Sequence, residues 1–162
     1  MLRVRFVLLL AILCIPGVAA AAGPMDGLPG VWRFQEEVDR RADGAIVKTG
    51  PSQGYDGFLI FTANGYMSST LLPKGRKWTF GTVSDAELRE SYGASSAHAG
   101  RYKADPASGT ITIEAAVSLD PSEEGQWGPV HYSLEGDTLK ISGPWTYHDE
   151  KLTFTIRLAR VK

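Results

Sequence analysis

The chain has 162 residues, with 17 basic and 18 acidic side chains interspersed and a single cysteine, Cys14. That balance gives no electrostatic reason to expect nucleic acid or anionic lipid as a partner. About 140 residues beyond the leader described next are enough to bury one core.

The first residues, Met1-Leu2-Arg3-Val4-Arg5, carry two arginines. An apolar run from Phe6 to Ile15 follows, then Pro16-Gly17 and small residues through Ala22. This is the order of a secretory signal peptide, expected over residues 1–22, with residues 23–162 as the mature domain. Cleavage after Ala20 also satisfies the small-residue pattern; Ala22 is preferred because Gly23-Pro24 then begins the mature chain. The run is too short to span a bilayer, which takes about 20 apolar residues, and no second such run follows. The expected location is therefore exported, periplasmic or secreted, with no membrane span after cleavage. A lipidated Cys14 is disfavoured, since Leu13 stands where a lipoprotein site needs a small residue. With Arg3, Arg5 and Cys14 removed, 15 basic residues face 18 acidic ones, a net charge of −3. No thiol remains, which excludes disulfides, thiolate catalysis and cysteine-based zinc sites.

Beyond the leader, short strand-like runs recur between Gly, Pro, Asp and Asn. Val31–Val38 opens with Trp32 and Phe34 on one face and Arg33 and Gln35 on the other. A short run, Ala45–Thr49, follows the Asp43-Gly44 turn. Gly57–Thr62 and Tyr66–Leu72 flank Asn64-Gly65, the strongest short-range hairpin signal, because its tight turn needs positive φ. Ser84 and Glu87 form a capping box for one helix from Asp85 to about Tyr92, with Val83 and Leu88 placed for a hydrophobic staple. Gly100–Lys103, Thr110–Val117, Tyr132–Glu135, Thr138–Ser142 and Lys151–Val161 complete the strands. In the last, Leu152, Phe154, Ile156 and Leu158 alternate with Thr153, Thr155 and Arg157, so one face is dry and one wet. Asp120–Pro129 and Gly143–Glu150 read as loops. Eight or nine evenly spaced strands favour an all-β sandwich or barrel.

Several of these stretches resemble the bacterial lipocalin-like domain family. They are Gly30-Val31-Trp32, the block from Gly57 through Ser68, Ala99-Gly100-Arg101-Tyr102, and Leu134-Glu135-Gly136-Asp137-Thr138-Leu139. The resemblance implies an up-and-down barrel of about eight strands with one short helix, open at one end, with a cavity for a small apolar molecule. It also implies that Trp32 plugs the closed end against a basic residue of the last strand, Arg157 or Arg160. Relatives often carry histidines in the strand that reads Thr110–Glu114 here, and arginines before the one beginning Pro129-Val130-His131. They also often end in Trp-x-Arg, where this chain has Leu158-Ala159-Arg160. A polar site built on those groups is altered or absent here.

Candidate chemistry is sparse. His98, His131 and His148 have no metal-ligand spacing, so no metal site and no cofactor are expected. His98 or His131 beside Glu114 is the one acid–base pairing to consider. Glu114 shares a face with Thr112, and that face reads as outward. Trp78, Trp127 and Trp145, near loops, are placed to rim a pocket. Three functions are compatible with the sequence. The leading one is a binder of a small hydrophobic or amphipathic molecule, with Phe58, Ile60, Tyr66, Tyr102, Tyr132 and Trp145 lining the barrel. The others are an isomerase- or cyclase-type enzyme acting on an apolar substrate, and a structural barrel filled by its own side chains.

Overall fold

The computed structural model describes residues 27–50, 54–76 and 81–162. The expected signal peptide therefore lies outside the described residues, as do Trp78 and Phe80. Among the described residues nine strands form one antiparallel sheet: β1 (Gly30–Arg40), β2 (Ile46–Val47), β3 (Tyr55–Phe61), β4 (Tyr66–Pro73), β5 (Ser96–Asp105), β6 (Thr110–Ser118), β7 (Gly125–Glu135), β8 (Thr138–Tyr147) and β9 (Glu150–Arg160). The order is β2-β1-β3-β4-β5-β6-β7-β8-β9, and β1 also pairs with β9 from Trp32↔Arg160 to Arg40↔Thr153. That pairing closes an eight-stranded up-and-down barrel and removes its edges. β2 is a two-residue flap on the end of β1.

The strands run longer than the turn residues suggest. β7 begins at Gly125 and β8 continues to Tyr147, so much of what reads as loop in 120–129 and 143–150 is strand. The reason is local. Gly128 and the cis-linked Pro129 fall where the β6–β7 register shifts, between Ile111/Ile113, and this bulge absorbs a proline that a central strand otherwise excludes. Gly143 is buried; a Cβ there would lie 2.8 Å from Val130 Cγ1 and 3.2 Å from the Phe154 ring. Its missing side chain lets those two residues close over β8. His148 and Asp149, at φ 45° and 66°, make a tight two-residue turn of the primed hairpin kind between β8 and β9.

The interior is apolar and graded along the barrel axis. At one end Leu28, Trp32, Phe61, Ile111, Leu139 and Leu158 are fully buried. Trp32 donates Nε1–H to the Leu28 carbonyl at 2.9 Å, and the Arg160 guanidinium stacks 4.1 Å from its ring centroid. Arg160 also donates to the carbonyls of Pro29 (3.2 Å) and Gly27. Of the two arginines expected to cap this tryptophan, Arg160 does so; Arg157 points outward and pairs with Glu36 at 2.9 Å. The plug and its cap thus tie the chain before β1 to the end of β9.

The helix α1 (Asp85–Gly93) starts as the capping box dictates, with Ser84 Oγ accepting from Glu87 N–H and the Glu87 carboxylate accepting from Ser84 N–H at 2.7 Å. None of its residues is buried, and Leu88 stays 41% exposed, so the staple expected with Val83 does not bury it. Tyr92 tethers the helix by donating its hydroxyl to the Leu119 carbonyl at 2.6 Å. Antiparallel alternation puts α1, the β6–β7 connection and the β8–β9 turn at the end opposite Trp32. Among the described residues, no helix is long and apolar enough to cross a membrane.

Candidate ligand-binding site

At the helix end the inner face is half-buried rather than sealed. Tyr55, Trp127 and Phe154 turn inward and pack on the core yet keep solvent contact, and Trp145 and Tyr147 continue the inner face of β8 to the rim. This end also carries the polar groups of the interior. A bulge between Phe34 and Glu36 advances β1 by one residue against β9, so the inward set after Trp32 and Phe34 becomes Glu37 and Asp39 instead of Glu36 and Val38. Asp39 is only 3% exposed and accepts from Trp145 Nε1–H at 2.9 Å and from the Thr49 hydroxyl. Burial, and then the charge of Asp39, push the Glu37 carboxyl up from its ordinary 4.5 to about 7. The Tyr55 hydroxyl is held above its usual range by burial first, then by Glu37 and Asp39.

Across the sheet, regular alternation in β5 turns His98 inward with Gly100 and Tyr102. Its imidazole meets the Trp127 indole edge-to-face, with ring centroids 4.4 Å apart. His98 Nδ1 and Trp127 Nε1 are both buried, and neither has a hydrogen-bond partner among the described residues. Burial pushes the His98 imidazole down from 6.5 to about 4, so it is neutral at physiological pH.

The six residues expected to line the barrel divide three ways. Phe58, Ile60 and Tyr66 are on the outer face, 40–45% exposed, and so do not line the interior. The register decides their parity: Trp32 pairs with Leu59 and Gly30 with Phe61, so Leu59 and Phe61 share the inner face with Trp32, joined by Met67, Ser69 and Leu71 of β4. Arg33 lies 5.9 Å from the Phe58 ring centroid and Arg101 4.8 Å from that of Tyr66, as side chains on a wet surface do. Tyr102 is inward but sits in the sealed half, 6% exposed, with its hydroxyl donated to the Thr62 carbonyl at 2.8 Å and its ring edge-on to Phe61. Trp145 stands on the half-buried inner face at the helix end, whereas Tyr132, inward and half-buried, lies towards the plug end, where its N–H bonds to the Gly109 carbonyl of the β5–β6 turn at 2.8 Å. Glu114 and His131 are exposed on the outer face, so neither forms an acid–base pair inside. His98 is not a strand-end surface residue but an interior one. Among the described residues, no three His, Cys, Asp or Glu side chains gather in a way that could hold a metal ion.

A model of the lipocalin-like domain matches residues 29–154. The chain belongs to the lipocalin-like domain family. No curated protein and no solved structure matches it. As in the expectation drawn from its motifs, a tryptophan–arginine contact plugs one end of this lipocalin-like domain; at the other end the inward aromatic side chains are half-buried.

The two displaced titrations make opposing stability terms. Between pH 4.5 and 7 the unfolded chain gives up the Glu37 proton while the folded chain keeps it, so this contribution falls as pH rises. Between pH 6.5 and 4 the unfolded chain takes up a proton at His98 that the folded chain refuses, so this contribution falls as pH drops. Each amounts to about 3 kcal/mol, and the two nearly cancel between pH 4.5 and 6.5. Single variants uncover them. Glu37→Gln is expected to gain up to about 3 kcal/mol from pH 4.5 to 6.5, and His98→Phe to lose a similar amount from pH 4.5 to 7. Urea midpoints across that range decide the matter; identical profiles for both variants and the parent would contradict the assigned burial.

Proposed function

We propose that this protein is an exported binder of a small hydrophobic or amphipathic molecule, held on the inner face of the barrel at the helix end. The observation that carries this reading is the gradient of burial: one end of the interior is sealed by Trp32 and Arg160, while aromatic side chains at the other end face inward and still meet solvent. An apolar concavity with a few convergent polar groups is the ordinary form of a small-molecule site. Export rests on the signal-peptide pattern of residues 1–22.

N-phenyl-1-naphthylamine, a neutral apolar fluorophore, tests the placement. Its emission is expected to rise on binding. Trp145→Ala is expected to weaken binding by about tenfold or more, the loss of one buried aromatic contact surface. Phe58→Ala, on the outer face, is expected to leave the affinity within about twofold. Equal effects at the outer and inner positions would contradict an interior site.

A further inference from the structure

The pair His98 and Trp127 has no explanation in the fold itself. The great majority of buried polar side-chain atoms have a partner, and an unmet one costs about 1–3 kcal/mol. Here two such atoms, His98 Nδ1 and Trp127 Nε1, belong to rings in direct contact, on the inner face of β5 and β7 towards the helix end. Of the surrounding inward residues, Gly100 has no side chain, Ile113 and Ala115 are apolar, and Ser69, buried and paired with His98 on β4, makes no hydrogen bond to either atom. Ser118, cross-strand from His98, has its hydroxyl within donating reach of Glu123 Oε2 at 3.0 Å and of the Ala97 carbonyl at 3.3 Å.

We propose that His98 Nδ1 and Trp127 Nε1 form the polar anchor of the barrel site and select a ligand with a neutral hydroxyl on an apolar body. This rests on the binding reading above and names the head group it takes. An indole N–H only donates, whereas the neutral imidazole offers a lone pair on one nitrogen. A single hydroxyl oxygen satisfies both, accepting from Trp127 and donating to His98. A quaternary ammonium head satisfies neither, and an ether oxygen satisfies only the indole. The imidazole stays uncharged down to about pH 4, which suits a neutral head group.

The experiment displaces N-phenyl-1-naphthylamine with 1-decanol, with methyl nonyl ether (its isomer, with the oxygen capped) and with decyltrimethylammonium. In the parent protein decanol is expected to compete about tenfold more strongly than the ether, the worth of one hydrogen bond, and the ammonium least well. In His98→Phe the decanol-to-ether preference collapses to about one. In Trp127→Phe both oxygen ligands weaken by about tenfold and the preference persists. Without ligand, both variants remove an unpartnered atom, so their melting temperatures hold or rise. Fluorophore binding with equal competition by decanol and ether overturns the anchor alone. So does an unchanged preference in His98→Phe accompanied by a lowered melting temperature, because the pair is then core packing. Failure of the fluorophore and all three competitors to bind overturns the binding reading together with the anchor.

Discussion

Replacing Trp32 with alanine is expected to destabilise the protein by about 3–5 kcal/mol, lowering the melting temperature by about 10–15 °C. Three contributions are lost together. The indole is wholly buried at the bottom of the barrel, and its removal leaves a cavity lined by residues that the closed sheet holds apart. The Leu28 carbonyl loses its donor at 2.9 Å. Arg160 loses the ring on which its guanidinium stacks, and with it the anchor for its bonds to Gly27 and Pro29. Trp32→Phe keeps most of the bulk and is expected to cost about 1–2 kcal/mol, chiefly the hydrogen bond. Thermal unfolding followed by circular dichroism separates the two. A Trp32→Ala protein melting within about 2 °C of the parent would show that the barrel is closed by something else.

Gly100→Ala is expected to be at least as damaging, at about 3 kcal/mol or more, through the backbone rather than a cavity. A Cβ at this position would lie 1.9 Å from the Glu114 carbonyl oxygen, 2.8 Å from the Ala116 nitrogen and 2.9 Å from the Ala115 Cα. All three are main-chain atoms of β6, opposite the register shift between Ala99 and Gly100, so no rotamer change makes room. Gly57 stands in the same relation to β4, 1.9 Å from the Thr70 carbonyl oxygen, and Gly57→Ala is expected to behave alike. Gly143→Ala is the contrast. Its neighbours are the side chains of Val130 and Phe154, which can shift, so a cost of about 1–2 kcal/mol is expected. Urea unfolding midpoints rank the three. Parity of Gly100→Ala with the parent would mean that β5 and β6 do not approach as closely as described.

These glycines bear on what the amino-acid order reveals. The barrel, its strand count, the helix with its capping box and the Asn64-Gly65 hairpin were legible because each is written in local chemistry: alternation, turn residues and a cap. The plug was legible as far as Trp32 and a choice between two arginines. What local chemistry does not write is parity across long-range pairs. Phe58, Leu59, Ile60 and Phe61 are all apolar, so alternation is silent about which two face inward. Only the pairing of β3 with Trp32 on β1 selects Leu59 and Phe61. The bulge after Phe34 has the same effect on the acidic residues, turning Glu37 and Asp39 inward where unbroken alternation from Trp32 points to Glu36. The inward position of His98 was not legible because the visible strand began at Gly100, whereas β5 starts at Ser96 and carries the same alternation two residues further. Gly125, Gly128 and Gly143 read as loop residues because turn chemistry and close strand approach call for the same amino acid.

One measurement bears most directly on the claim that the ligand lies inside the barrel at the helix end. It is the amide and indole 15N–1H spectrum titrated with N-phenyl-1-naphthylamine, with the indole signals assigned by substitution. The indole signals of Trp127 and Trp145 are expected to shift with the titration, while that of Trp32, bonded to Leu28 in the sealed half, stays in place. Shifts confined to the backbone around Phe58, Ile60 and Tyr66, with Trp127 and Trp145 unmoved, would put the fluorophore on the outer face and contradict the account.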